Sequence, residues 1–272
     1  MIFADLKLSQ RLERAEATAS ALFAEARRHA FPDCGACWTE VAGAYAIFDG
    51  VASPCTQTFG LGLFEELNSD TLDRIERFFF DRSAPVLHEV SPFAGTNALD
   101  LLCRRNYTPE ELSSVLYQPL LPATPAIPSG ISVRICSSED AALWNEINAK
   151  AWAYDHPELL DFLLETGAIS SAREQSHLFV AEADGVPAAA GALCIHQGVA
   201  LLAGAATLPE FRGRGLQSAL LAERMRHALA IGCDMAMMVT LPGSSSQRNA
   251  ERNGFGIAYT RTKWRLRTNP AT

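Results

Sequence analysis

A mixed-sheet α/β (α+β) architecture laid out as two successive halves is the fold class that these 272 residues predict. Three observations carry it. Strand-like apolar runs alternate with helical periodicity in both halves. Each half also has an Asp-Gly pair after a strand-like run, at Asp49-Gly50 and Asp184-Gly185. Prolines at 119, 122, 125 and 128 separate the halves.

In the first half, Asp5, Lys7, Arg11 and Glu13 interleave with Leu6, Leu8 and Leu12, the pattern of an amphipathic helix over 6–29. Strand-like 38–48, helical 71–80, strand-like 86–90, helical 98–105 and a closing strand over 115–120 follow. Proline fixes φ and disfavours helix in the residue before it, so 119–130 (PLLPATPAIPSG) reads as an extended linker. The expected organisation is a domain over 1–120, a linker over 121–130 and a domain over 131–272. In the second half, ISVRI at 131–135 alternates as a strand, and Ser137 or Ser138 caps a helix running to about 153. A helix over 157–166 precedes strands 177–183 and 186–196. Asp184-Gly185 joins those strands as a hairpin, because a primed turn needs positive φ at both central positions. Strand 199–206, helix 217–231, strand 235–241, short helix 244–253 and strand 257–266 complete the chain. The endings LLCRRNYTPEE…VLY and QRNAERNGF…AYT match loosely, which reads as a diverged internal duplication. Chance recurrence of turns and apolar runs is the alternative.

With 48% hydrophobic and 20% charged residues, the chain can bury a substantial core. Its net charge of −8 argues against general nucleic-acid binding and permits a cationic substrate. No run approaches the roughly 20 apolar residues that span a bilayer, and the N-terminal pattern lacks the apolar centre of a signal peptide. Seven scattered cysteines fit a reducing compartment, so a cytoplasmic protein without membrane association is expected. Cys34 and Cys37 form a CxxC with no second Cys/His pair at zinc spacing, so no metal is expected.

The segment most suggestive of chemistry is 208–221, LPEFRGRGLQSALL, where a strand gives way to a helix. Helix-start amides attract anions, and Gly213 and Gly215 allow backbone angles that let a phosphate approach. Arg212 and Arg214 add positive charge. The Gly-Lys-Ser/Thr of a Walker A loop is missing. A dinucleotide fingerprint is nearly spelled by Gly213, Gly215 and Ser218, with Asp234 in place of the ribose acid, but Asp234 precedes its strand rather than ending it. A plain tight turn with solvated arginines is the bland alternative.

Residues 131–272 resemble the GCN5-related N-acetyltransferase (GNAT) superfamily. Its cofactor loop, Arg/Gln-x-x-Gly-x-Gly/Ala, stands here as Arg212-Gly213-Arg214-Gly215-Leu216-Gln217, with Pro209 upstream and Ala219-Leu220-Leu221 downstream. The resemblance implies tandem GNAT-like domains, each a mixed, mostly antiparallel sheet flanked by helices. It implies acetyl-CoA as acyl donor, with the pyrophosphate on amides of Arg212, Gly213, Arg214, Gly215, Leu216, Gln217 and Ser218. The pantetheine arm would pair with the backbone at Ala206 and Thr207. Gln217 replaces the usual small residue. Gly254-Phe255 fits the family's C-terminal pair, but Ala250 stands where a tyrosine general acid is usual and Gly243 where an asparagine is. Ser246 and Asn249 are left as coenzyme contacts on that segment; helix capping is their plainer role.

By that resemblance the chain is an N-acyltransferase acting on a small-molecule amine by direct attack. An alkyl ammonium of pKa about 10.4 must lose a proton first, at a cost of about 4–5 kcal/mol at pH 7. LLAGAATL carries no acid for this. Asp155, His156, Glu158 and His196 are the candidates, each more readily structural or solvated, so the catalytic residues are unassigned. A non-catalytic acyl-CoA-binding or regulatory protein is the second reading, and a nucleotide-dependent oxidoreductase the third. In the first half the nearest loop, FGLGLFEEL at 59–67, has no arginine, and Glu65 and Glu66 would repel phosphate. It reads as a degenerate copy. Acceptor identity and oligomeric state are not fixed by sequence.

Overall fold

The computed structural model describes residues 3–122, 127–154 and 156–267. The chain packs into two compact units, Met1–Tyr117 with Val239–Thr272, and Gln118–Met238. The division into 1–120 and 131–272 follows chain order, whereas packing groups everything from Val239 onward with the first unit. Pro125 of the linker lies outside the described residues.

In the first unit, α1 (Leu6–Ala30) starts where Asp5 accepts from the Leu8 amide at 2.7 Å. The strand-like run 38–48 is two strands, β1 (Cys37–Val41) and β2 (Ala44–Phe48). Their tight turn is Ala42-Gly43, with φ of 51° and 77°. Asp49-Gly50 makes no tight two-residue turn: Asp49 is buried, accepting from Arg27 Nε at 2.6 Å and from Ser53 Oγ at 2.6 Å. Next come β3 (Gln57–Phe59), absent from the sequence prediction, then α2 (Ser69–Phe80) and β4 (Leu87–Val90). Then α3 (Gly95–Arg104) leads to β5 (Tyr107–Pro119), which begins well before the expected 115.

The second unit carries β6 (Ile131–Ile135), α4 (Ala141–Ala153), α5 (Leu160–Ala172), β7 (Ser176–Ala183) and β8 (Val186–His196). It continues with β9 (Val199–Thr207), α6 (Leu216–Ala230) and β10 (Met235–Thr240). Asp184-Gly185 turns as expected, with φ of 52° and 79°. The last elements, α7 (Ser245–Arg252) and β11 (Gly256–Leu266), belong to the first unit.

Both units follow one pairing plan. In the second, β6, β7, β8 and β9 form an antiparallel meander, and α6 crosses over to place β10 parallel to β9. In the first, β1, β2 and β3 form the meander, and α2 crosses over to place β4 parallel to β3. There β11 lies antiparallel between β4 and β5. The expected mixed, mostly antiparallel sheets flanked by helices are therefore present. Alternating strand residues explain the layers. In the first unit, Ala46 and Phe48 pack with Leu72, Ile75 and Leu102 of α2 and α3, whereas Ile47 and Phe59 pack with Ala17, Ala21 and Ala24 of α1. In the second, Trp144 and Ile147 of α4 cover Leu178, Val180, Ala190 and Ala192. No described helix is long and apolar enough to cross a membrane.

The α1 face of the first unit holds a charge network. Arg261, 2% exposed, meets Glu13 at 3.1 Å, Glu16 at 2.6 Å and Glu89 at 3.0 Å, and the Tyr259 hydroxyl donates to Glu13 at 3.0 Å. Desolvation outweighs the attraction of Arg261 and lifts the Glu13 carboxyl from 4.5 to about 7. On the opposite face, burial alone lowers His88 from 6.5 to about 3; its Nε2 lies 3.0 Å from the Tyr107 hydroxyl, which donates to Glu76.

These shifts oppose each other. A raised carboxyl favours the fold below pH 4.5, and that contribution disappears as pH rises through 7. A lowered imidazole favours the fold above pH 6.5, and that contribution disappears as pH falls towards 3. Glu13→Gln removes the first effect and leaves the second. Between pH 4.5 and 6.5 its unfolding free energy should therefore fall on acidification more steeply than the parent's, by about 1.4 kcal/mol per pH unit. Urea unfolding across that range measures the difference, and parallel curves would refute it.

Candidate functional site

At its far end β9 parts from β10. The parallel pairs are Val199 with Met235, Ala200 with Ala236 and Leu201 with Met237, and none follows. Just beyond, β9 bulges: Ala190 pairs Ala206 and Ala192 pairs Ala203, so Gly204 and Ala205 together face Gly191. Gly204 takes φ 57°. The bulge leaves backbone polar groups of β8 and β9 without regular partners, and side chains satisfy several of them here. Trp144 Nε1 donates to the Gly191 carbonyl at 3.0 Å, and Asn148 Nδ2 donates to that of Gly204. From α6, Arg224 Nη1 reaches the carbonyls of Ala192 at 3.0 Å and Ala203 at 3.4 Å.

After Thr207 the chain makes a single 3-10 turn over Pro209–Phe211 and then the exposed turn 212–215. Gly213 and Gly215 hold φ of 76° and 89°, so the sequence supplies glycine where the backbone enters the left-handed region. Gly215 is the N-cap of α6, and no side chain caps the helix. The amides of Leu216, Gln217 and Ser218 precede the first intrahelical bond, which Ala219 donates to Gly215 at 3.0 Å. This is a helix start with no side-chain cap, the kind of terminus at which anions are favoured.

The arginines differ in role. Arg212 Nε donates to the Thr207 carbonyl at 3.4 Å and Nη2 to that of Ala151 at 3.3 Å, and its guanidinium lies 5.2 Å from the Tyr154 ring. No carboxylate pairs with Arg212 among the described residues, so its charge is uncompensated. Arg214 reaches Asp184 Oδ2 of the hairpin turn at 2.5 Å. That pair is exposed, and such pairs contribute about 0–1 kcal/mol, so an entering anion can displace it. Gln217 Nε2 donates to Thr207 Oγ1 at 2.7 Å, tying the helix start to the strand end.

The Acetyltransferase (GNAT) family model matches residues 141–255. Residues 141–255 are a GNAT domain. Solved structures extend the likeness to the whole chain. A GCN5-related N-acetyltransferase from Kribbella flavida is 17% identical with a TM-score of 0.68, covering 96% of each chain. A tandem GNAT protein from the clavulanic acid biosynthesis pathway is 10% identical with a TM-score of 0.60, covering 100% of this chain and 98% of that one. A GCN5-related N-acetyltransferase from Sphaerobacter thermophilus is 18% identical with a TM-score of 0.54, covering 79% of this chain and 74% of that one. At these identities the likeness is one of fold. No curated protein matches the sequence.

Within the GNAT domain, Ala206, Thr207, Arg212, Gly213, Arg214, Gly215, Leu216, Gln217 and Ser218 follow one another around the strand end, turn and helix start. Asn249 lies on α7, in the first unit, accepting from Asn253 Nδ2 through its carbonyl at 2.7 Å. On the same helix Ser246 is exposed and Ala250 is fully buried. The cap of that helix is Ser244, which accepts from the Gln247 amide at 3.1 Å.

The candidate bases separate. His196 pairs with Val199, eight residues from Thr207 and about 26 Å along the strand, so it lies far from the turn. His156 and Glu158 follow Tyr154, the neighbour of Arg212; both are exposed, with Nδ1 and Oε1 3.3 Å apart. Asp155 lies outside the described residues. Cys34 Sγ accepts from the Ala36 amide and Cys37 Sγ from Arg82, and no group of three His, Cys, Asp or Glu gathers among the described residues. Sequence reading did not pick out Gly191, Gly204, Asn148 and Arg224. Glycines inside strand-like runs were the available sign of a bulge.

A methyl group at Gly215 would meet Ile131 Cδ1 at 3.7 Å and Pro128 Cγ at 3.8 Å, ordinary contacts. The cost of Gly215→Ala therefore comes from its φ of 89° alone, and unfolding should show a loss of about 1–2 kcal/mol. A variant as stable as the parent would mean that the turn relaxes to negative φ.

Proposed function

We propose that the second unit binds acyl-CoA, with acetyl-CoA as donor, and transfers the acyl group to the amine of a small molecule. The observation that carries this reading is the uncapped start of α6 behind two positive-φ glycines, at the end of a strand that has left its neighbour. Pyrophosphate suits the amides of residues 213–218, with the charge of Arg212 beside it. The strand edge at Ala206 and Thr207 offers backbone groups to the amides of a pantetheine arm. The reaction forms a C–N bond to the acyl carbon and breaks the C–S bond, and the amine's proton leaves to solvent or to a base.

His156 and Glu158 are the candidate bases beside Tyr154. The departing thiolate, with a thiol pKa of about 8.5, can take its proton from water, so a tyrosine at position 250 is not required. Seven free cysteines suit the reducing cytoplasm. One observation favours a coenzyme-binding protein without transferase activity: β9 has no acidic residue, and the buried Ala250 stands at the family's tyrosine position.

Calorimetric titration tests the reading. The protein should bind acetyl-CoA and coenzyme A but not NAD. Gly215→Glu, which puts bulk and negative charge among the helix-start amides, should abolish that binding. NAD binding without coenzyme A binding would overturn the proposal. Thiol release with a panel of amines then separates an enzyme from a binding protein.

A further inference from the structure

Arg224 is the one buried charged side chain among the described residues of the second unit. Its side chain is 3% exposed, on the inner face of α6. Burial lowers its pKa to about 10, with no carboxylate offsetting it. No ion pair to Arg224 occurs among the described residues. Its donors go to backbone oxygens: Nε to Leu220 in its own helix at 3.2 Å, and Nη1 to Ala192 and Ala203. A buried guanidinium without a counter-ion is costly, and an apolar side chain of similar length would pack there at less cost. Its presence calls for a role other than general stability.

Its partners indicate that role. Ala192 and Ala203 are the paired residues at one edge of the bulge. Nη1 alone donates to carbonyls of both strands while Nε is anchored on Leu220, which a methionine cannot do and a lysine, without the second anchor, does less well. The sheet makes room for it: a Cβ on Gly191 would stand 3.2 Å from Arg224 Cζ and 3.3 Å from Nη1. From the other face, Asn148 takes the Gly204 carbonyl and Trp144 that of Gly191. The bulge is thus gripped from both sides. It falls after Leu201, where pairing with β10 ends, and before Ala206 and Thr207.

We propose that Arg224 is a positioning residue that clamps the β9 bulge and so aims the backbone at 204–207 towards the bound thioester. The clamp is a statement about the protein alone; its use in acyl transfer rests on the acyl-CoA reading above. Arg224 touches no substrate. It acts through the carbonyls of Ala192 and Ala203, and Gly191 is the space that admits it.

The test uses the full chain and the variants Arg224→Met, Arg224→Lys and Gly191→Ala. In the unliganded protein, Arg224→Met should speed amide hydrogen exchange at 203–206 by about tenfold or more, while 216–230 stays within about twofold of the parent. Arg224→Lys and Gly191→Ala should be intermediate. With coenzyme A, the dissociation constant of Arg224→Met should stay within about threefold, since the phosphate turn is untouched. The bound carbonyl carbon of [1-13C]acetyl-CoA should move back towards its free-ligand resonance. A folded Arg224→Met with unchanged exchange at 203–206 would overturn the clamp. So would exchange that rises equally at 216–230, which indicates a packing role only. If Arg224→Met does not fold, the other two variants decide on the same criteria. If the parent binds no coenzyme A yet the exchange pattern appears, the acyl-CoA reading fails and the clamp stands.

Discussion

The parting of two parallel strands is the constraint on which the rest of the second unit depends. Once β9 leaves β10 after Leu201, its backbone groups lose their regular partners, and such groups must find others. At the bulge just beyond, Trp144 and Arg224 take the carbonyls of Gly191 and Ala192 on β8, and Asn148 and Arg224 those of Gly204 and Ala203 on β9. With those satisfied, the strand can end at Thr207 with an open edge, and the chain can turn through Gly213 and Gly215 into an uncapped helix. The strand edge and the helix-start amides thus stand at the two ends of one short connection, 208–215.

The first unit shows the same plan put to another use. There β3 and β4 pair in parallel at one position, Thr58 with His88, and a glycine-bearing loop again leads to a helix. Phe64 fills that loop: added Cβ atoms on Gly43 and Gly60 would lie 2.3 Å and 3.0 Å from it, and Arg14 stacks on its ring. Gln10 of α1 donates to the Leu63 carbonyl at 2.6 Å, and Asn68 caps α2 by accepting from the Thr71 amide at 2.9 Å. The helix-start amides left open in the second unit are capped here by a side chain, and Glu65 and Glu66 add charge of the wrong sign for phosphate. The most buried of this unit's charge networks is gathered around Arg261.

Elements with strong local signals were legible in the sequence. Amphipathic periodicity marked α1, a primed Asp-Gly turn marked the β7–β8 hairpin, and the glycine spacing marked the positive-φ turn before α6. Asp49-Gly50 misled because Asp49 is neutralised by Arg27 across 22 positions, a contact that no local pattern displays. Asp49-Gly50 opens the longer 49–56 connection between antiparallel β2 and β3, and the tight turn falls at Ala42-Gly43, inside the run read as one strand. Strand β3, three residues long, is too short for periodicity to show. The bulge clamp was illegible for a similar reason. Arg224 on a helix reads as a solvated charge until the sheet places Gly191 opposite it. Of the site residues, those contiguous in sequence were found together, whereas Asn249 belongs to the other unit.

The central claim is that one anion-holding turn in the second unit receives the coenzyme. A crystal structure of the full chain with coenzyme A measures it most directly. The account predicts the pyrophosphate within hydrogen-bond reach of amides in 213–218, and the pantetheine arm alongside Ala206 and Thr207. Coenzyme A seated at the first unit's loop, 59–67, or away from the turn altogether, would contradict it.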